Sequence, residues 1–289
     1  MMPDPDRPNL PPSPPPHAFL PYACGRLRGL CCEGYQSFDL TAIPWDELKG
    51  RNEPTLELTK SSRTRCVVRM EFAPPGQPPR TVFAKRVLVA SWQKRLGCLF
   101  VPSKAQHEWT AGYRLPALGL ATARPVVCAE LWRGPWLIEN YLVTEEIAGA
   151  GPLRSALAEI PEASQRRELL HRLAEWLWQA HRLGFYHDDC SAQHVFVGPN
   201  APGSSDAALR FWVIDLDGCR LHRATVPWRR RVKNLFQLLR SIPPRWASQS
   251  DRLHFVESYL KASGEPQRLH RAIARMRRLA RWKEAEIHL

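Results

Sequence analysis

Two acidic positions stand where a reaction would need them. Asp189 lies in YHDDCSAQHVFV (Tyr186 to Val197), and about twenty residues further on Asp215 lies in FWVIDLDG (Phe211 to Gly218). Moving a phosphoryl group requires one carboxylate to orient and deprotonate a hydroxyl, and a second to hold a divalent metal on the phosphates. Asp215 ends the apolar run Phe211 to Ile214. A carboxylate at the mouth of a buried strand needs a partner, for which a metal or a salt bridge serves. Asp217 is the weaker second candidate. Upstream, Lys85 sits in VFAKRV, where its ammonium can meet phosphate oxygens, and Glu108 follows in a helical stretch, where it can fix that lysine by an ion pair. Taken singly, each has a bland reading: a solvated strand lysine, a helix-surface acid, and, for the Asp188-Asp189 dipeptide, a cap on backbone N–H groups. Together and in this order they point to phosphoryl transfer.

The elements that must position them are legible. Thr55 to Met70 holds two β-rich runs around a polar turn, and Thr81 to Val89 is a third strand after PPGQPP. Ser103, with Gln106 three residues on, opens a helix to about Leu118, and strands follow at Ala123 to Cys128 and Trp136 to Thr144. After Thr144 the period turns helical. Ser164 to Arg182 places Leu169, Leu173, Trp176 and Ala180 at helical spacing before Gly184 stops it. Two short apolar runs, His194 to Val197 and Arg210 to Leu216, flank GPNAPGSS as a hairpin, and Val232 to Leu239, Arg252 to Lys261 and Pro266 to Lys283 are helical by period. The fold class expected is α+β: an N-lobe of antiparallel sheet with one helix over 38–145, and a mostly helical C-lobe over 146–289. Residues 1–37 are set apart as an arm and extension, because the first 22 contain nine prolines and are excluded from the fold.

With these residues placed, the chain resembles the protein-kinase-like superfamily and, within it, the bacterial lipopolysaccharide core kinases that phosphorylate heptose or Kdo sugars, over about residues 50 to 260. The resemblance reads His187, Asp188, Asp189 and His194 onto the catalytic loop H-x-D-x-x-x-x-N, with His194 where a metal-binding Asn stands, and IDL onto D-F-G. It implies ATP and Mg²⁺ as cofactors, Asp189 as base, and Asp215 as metal ligand. Lys85 is then held by Glu108 on the α and β phosphates. It also implies that adenine lies between the lobes against Leu142 to Ile147, met by backbone groups around Glu145 and Ile147.

The sequence departs from the superfamily pattern in places. No G-x-G-x-x-G covers the phosphates, so the turn Thr59 to Thr64 would serve through its N–H groups, its hydroxyls, and Lys60 and Arg63. Asp188 replaces the arginine that docks a phosphorylated activation loop, and no A-P-E follows. That argues against phosphorylation-switched signalling. His194 is a less natural Mg²⁺ ligand than an oxygen, and either contacts the metal weakly or only holds the loop. His187 is expected to organise the loop by hydrogen bonds rather than to titrate.

Composition sets the outer bounds. With 289 residues and 44% hydrophobic content the chain can bury a sizeable core. No stretch of about 18 apolar residues and no secretory signal are legible, so the expectation is cytoplasmic, with peripheral contact at the inner face of the membrane. The eight cysteines are scattered and read as free thiols; a zinc cluster of Cys24, Cys31 and Cys32 with His17 is the minor alternative. Net charge is +13, and Arg220 to Leu289 carries 17 Lys and Arg against five acids. In Gln267 to Lys283, Leu269, Ile273, Met276 and Ala280 form one stripe amid arginines. That helix either faces a polyanion or membrane, or packs on the C-lobe with its arginines solvated. The expected partner is an anionic glycolipid or sugar substrate, with no nucleic acid, since no base-reading module accompanies the charge, and no obligate protein partner. The competing readings are a small-molecule kinase of the aminoglycoside or choline type, a protein kinase, and an inert kinase-like scaffold at a membrane surface.

Overall fold

Along β-branched and aromatic stretches burial alternates with period two, and the computed structural model, which describes residues 19–48, 56–199 and 209–282, turns those stretches into strands. The described residues divide into two units, one ending at Ile147 and the other beginning at Ala148. In the first unit the strands are β1 (Leu20–Cys24), β2 (Leu27–Cys31), β3 (Leu56–Ser61), β4 (Arg65–Phe72) and β5 (Arg80–Leu88). Helices α1 (Trp92–Gly97) and α2 (Lys104–Ala117) follow, then the two-residue β6 (Ala121–Thr122), β7 (Pro125–Arg133) and β8 (Trp136–Glu145). Seven strands form one sheet in the order β1-β2-β7-β8-β5-β4-β3. Every pair within it is antiparallel.

The first hairpin departs from the sequence reading. Residues 20–37 are not an extension beside the fold: β2 pairs with β7, and Tyr22, Cys31, Cys32, Tyr35 and Phe38 are buried in the same core as Val68, Val82 and Val143. The exclusion of the first 22 residues therefore fails at Leu20 to Tyr22, while the stretch before residue 19 lies outside the described residues. The hairpin was hard to read because its strands are short and interrupted by Gly29, a residue that strands disfavour. Gly29 has a reason to be there, since a Cβ would stand 1.9 Å from the Cys128 carbonyl oxygen. All eight cysteines are free thiols. Burial pushes Cys31 up to about 11, and Cys32 Sγ meets the Tyr113 hydroxyl at 3.0 Å. His17 lies outside the described residues.

Helix α2 starts where Ser103 accepts from the Gln106 N–H at 3.2 Å. Its N-terminus is tied to the sheet by Asn140 on β8, whose side-chain carbonyl accepts from the Ala105 N–H at 3.2 Å. A Cβ on Gly112 would lie 2.3 Å from Pro125 Cγ, so glycine lets the helix rest directly on β7. Gly112 is one turn beyond Glu108, which faces the sheet with it.

The second unit comprises β9 (Gly151–Pro152), α3 (Leu153–Glu159), α4 (Ala163–Arg182), β10 (Phe185–Tyr186), β11 (Val195–Pro199) and β12 (Leu209–Val213). It continues through β13 (Arg220–Leu221), α5 (Trp228–Ser241), α6 (Gln249–Ala262) and α7 (Leu269–Trp282). Its core joins Leu173 and Leu177 of α4, Leu235 and Phe236 of α5, Phe255 and Tyr259 of α6, and Met276 of α7. Strands β11 and β12 pair antiparallel from Val195↔Val213 to Pro199↔Leu209, and the link between them lies mostly outside the described residues. Helix α7 buries Ala272, Met276 and Ala280 and leaves most of its arginines outward, so it packs on its own unit.

Two local devices fix what surrounds the acidic loop. Gly184, after α4, has φ +84°, and a Cβ there would stand 2.2 Å from the His222 carbonyl oxygen; only glycine allows this turn into β10. At the end of α5, the guanidinium of buried Arg252 donates to the carbonyls of Leu239, of Ile242 at 2.6 Å and of Ala247 at 3.1 Å. It satisfies carbonyls that a helix C-terminus otherwise leaves orphaned.

Candidate active site

The loop from His187 to His194 connects β10 to β11 and has little backbone pairing of its own. Side chains hold it. Asn234 on α5 donates to the His187 carbonyl at 2.6 Å, and Gln237, one turn on, donates to the Asp188 carbonyl at 2.5 Å. Ser241 accepts from the Ala192 N–H at 2.8 Å. One face of α5 thus replaces the ladder that the loop lacks. His181, at the end of α4, locks that face in place: its Nε2–H donates to Asn234 Oδ1 at 3.1 Å, and its Nδ1 accepts from the Tyr259 hydroxyl at 2.7 Å. Complete burial pushes His181 down to about 3, so it is neutral.

His187 is buried and bridges the loop to the strand that delivers Asp215. Its Nε2–H donates to the Ile214 carbonyl at 3.0 Å while Nδ1 accepts from the Asp189 N–H at 3.2 Å. Desolvation lowers its pKa and keeps it neutral, as those two bonds require. The Ile214 N–H in turn donates to the His194 carbonyl at 2.9 Å.

His194 stands between the two carboxylates. Its Nδ1–H donates to the Asp189 carbonyl at 2.9 Å and lies 3.5 Å from Asp189 Oδ2, while Nε2 lies 3.7 Å from Asp215 Oδ2. The hydrogen bond on Nδ1 sets the tautomer, which leaves the Nε2 lone pair on the side of Asp215. Asp215 Oδ2 and that nitrogen, 3.7 Å apart, are oxygen and nitrogen donors of the kinds that divalent cations accept. Asp189 is the exposed member, its side chain 74% accessible, against 18% for Asp215. Asp215 has φ 58° and ψ 59°, the left-handed region, and among the described non-glycine residues it alone has positive φ. Such a conformation costs on the order of 1–3 kcal/mol and collects at functional sites. It turns the chain from β12 into the short 3₁₀ turn Leu216–Gly218, where Asp217 also lies.

Asp188 faces away from this pair. Lys233 of α5 contacts it at 2.9 Å and the Tyr186 hydroxyl donates to it at 3.1 Å, and the Lys233 bond lowers its pKa. The adjacent acids of the dipeptide therefore differ: one neutralised by a lysine, one exposed beside an imidazole. Neither Lys233 nor Asn234 and Gln237 were singled out from sequence, because polar residues within an amphipathic helix look like its solvated side.

In the first unit Lys85, on central strand β5 between β4 and β8, forms an ion pair with Glu108 of α2. Both are largely buried, at 12% and 7% side-chain exposure. Lys60 and Arg63 are exposed at the β3–β4 turn, which Ser62 closes by accepting from the Arg65 N–H at 3.1 Å. A bulge between Leu58 and Lys60 lets this glycine-free hairpin twist. The Glu145 side chain is occupied structurally, accepting from Arg80 at 2.6 Å and from the Tyr35 hydroxyl at 2.8 Å. Its N–H donates to the Arg124 carbonyl at 2.9 Å, and that of Glu146 to the Thr81 carbonyl at 2.9 Å. Ile147 ends this unit.

A sheet with a buried lysine–glutamate pair, and a helical unit with an acidic loop braced against a left-handed aspartate, define a phosphotransferase of the protein-kinase-like fold. A solved chain described as WaaP in complex with acyl carrier protein matches with a TM-score of 0.55 and 25% identity, over 83% of this chain and 92% of that one. Residues 85–259, more than half of the chain, match the model of the Lipopolysaccharide kinase (Kdo/WaaP) family, and the protein belongs to that family. The activity that membership supports is ATP-dependent phosphorylation of a lipopolysaccharide core sugar hydroxyl. Among curated relatives, the lipopolysaccharide core heptose(I) kinase WaaP of Pseudomonas aeruginosa is 31% identical over 161 residues, 54% of this chain and 59% of that relative. The enzyme of the same name from Escherichia coli is 29% identical over 224 residues, 76% of this chain and 82% of the relative.

Proposed function

We propose that the protein transfers the γ-phosphoryl group of ATP to a heptose-type hydroxyl of a lipid-linked, anionic core saccharide. The observation that carries the assignment of roles is the His194 ring set between the carboxylates of Asp189 and Asp215. Asp189 takes the proton of the acceptor hydroxyl as its oxygen bonds to the γ-phosphorus and the bond to the β–γ bridging oxygen breaks, releasing ADP. Its exposure suits a group that must meet an incoming sugar. Asp215 and Nε2 of His194 hold Mg²⁺, which supplies charge neutralisation on the phosphates. Lys85, oriented by Glu108, pairs with the α and β phosphates. Lys60 and Arg63 meet phosphate oxygens from the β3–β4 turn, and the backbone at Glu145 and Ile147 meets the purine edge. His187 keeps Asp189 and the Asp215 strand in register and takes no proton.

Among the described residues no helix is long and apolar enough to cross a membrane. Peripheral contact with the anionic inner face, through the arginines of α7, is the membrane arrangement we infer. An acyl carrier protein is the protein partner to test, because the solved WaaP chain is in complex with one.

The test is transfer of label from γ-labelled ATP to purified core glycolipid. Label on a core sugar that disappears with Asp189→Ala, while ATP and Mg²⁺ still raise the melting temperature of that variant, supports the reading. Unchanged transfer in the variant removes Asp189 as base, and transfer to protein alone removes the acceptor.

A further inference from the structure

We propose that the segment from Trp92 to Val101 is a second membrane contact, which inserts its side chains shallowly into an anionic bilayer. The proposal rests on the lipid-linked acceptor inferred above. Helix α1 buries none of its residues. Apolar side chains on a helix normally serve a core, yet Trp92 and Leu96, one turn apart on one face, are exposed, Trp92 at 68%. The turn after the helix continues the pattern: Leu99 is exposed, Phe100 at 82% and Val101 at 59%. Five large apolar side chains in ten consecutive residues form a patch of the kind that soluble surfaces rarely leave bare without a partner.

The charges around the patch say what covers it. Lys94, Arg95 and Lys104 lie within or beside it, and no acidic residue occurs between Val89 and His107. The lipid-linked acceptor inferred above brings the chain to an anionic bilayer, which that cationic rim complements. Aromatic and aliphatic side chains set among cations, with the carboxylate of neighbouring Glu130 buried and accepting from the Trp132 indole N–H at 2.9 Å, match a headgroup layer of negative charge over hydrocarbon. The neighbouring hairpin tip extends the same chemistry. Helix α1 touches β8, and the Val89 N–H donates to the Ile138 carbonyl at 2.9 Å, two residues from exposed Trp136; Trp132, across the turn and past Arg133, is exposed as well. The segment is held from behind, by Arg95 Nε donating to the Val89 carbonyl at 2.9 Å and by Ser91 capping α1, so it meets the bilayer preformed. At six residues the helix lies in the interface and does not span it.

Flotation of the full chain with vesicles of phosphatidylcholine alone, or of phosphatidylcholine with phosphatidylglycerol, tests this. The wild type is expected to float with the anionic vesicles. The double variant Phe100→Ser, Val101→Ser is expected to lose partitioning by about tenfold or more, with its ATP-induced thermal shift unchanged. An α7 variant, Arg271→Ser with Arg278→Ser, is expected to keep a salt-resistant part of the binding. The proposal is overturned if the Phe100, Val101 variant floats like the wild type, or if the wild type does not float. It is equally overturned if the wild type sediments as a dimer that this variant dissolves, which would assign the patch to a second copy. Phosphorylation of detergent-dispersed core glycolipid separates the two readings: its absence with flotation intact removes the acceptor and leaves the membrane contact standing.

Discussion

The two halves of the proposed machinery are built on opposite principles. Lys85 and Glu108 are charges taken into a core, on a central strand and a helix resting against it, where they pair with each other. Asp189 stays in water, and what is fixed is the loop beneath it, by Asn234, Gln237 and His187 bonding to its backbone. A buried ion pair couples function to stability, because removing one partner strands a charge. A loop braced through its carbonyls uncouples them: the reactive side chain can change while its support remains.

That contrast can be broken by substitution. The largest effect expected is on turnover: Asp189→Ala lowers kcat by about 10²- to 10⁴-fold, the range of a general base, with a melting temperature within a degree or two of wild type. If the loop instead unfolds, the contrast is wrong. Next, Glu108→Leu is expected to cost about 3–5 kcal/mol by chemical denaturation, as for a broken buried pair. The double variant Lys85→Met, Glu108→Leu should regain most of that stability and none of the turnover, which a purely structural pair would not predict.

Acid sharpens the same comparison through the brace. His181 has a folded pKa of about 3 against an ordinary 6.5, so below 6.5 the unfolded chain takes up a proton that the folded chain refuses. Stability should therefore be complete above pH 6.5 and fall by about 1.4 kcal/mol per pH unit towards 3 from this group. His181→Gln should flatten that slope in urea titrations from pH 6.5 to 4. The smallest effect expected is at His194. Replacing its nitrogen by oxygen in His194→Asn should lower the Mg²⁺ concentration for half-maximal turnover a few-fold, and an unchanged requirement would leave His194 as a loop residue only.

Much of this was readable in one dimension. The strands around Lys85, the helix opened by Ser103, and the apolar run ending at Asp215 all carry local signals, because periodicity and capping act within a few residues. The braces carry none. Asn234 and Gln237 sit in a helix recognisable from Val232 to Leu239, but their work depends on a loop 47 and 49 residues earlier reaching that face. The β1–β2 hairpin was missed because five-residue strands beside proline-rich chain give propensity too little to sum. Helix α1 was missed because its six residues hold a single i, i+4 apolar pair, Trp92 and Leu96, too short a stretch for a period to register.

Sequence by itself determined which chemical groups are available and the order in which they come, since motif order and local periodicity are properties of neighbours along the chain. Tertiary structure alone decided which of two adjacent aspartates is neutralised by Lys233 and which is exposed beside His194. It also decided the left-handed turn that aims Asp215. Those choices rest on electrostatic and steric contacts between residues distant in sequence, and such contacts exist only once the backbone has closed on itself.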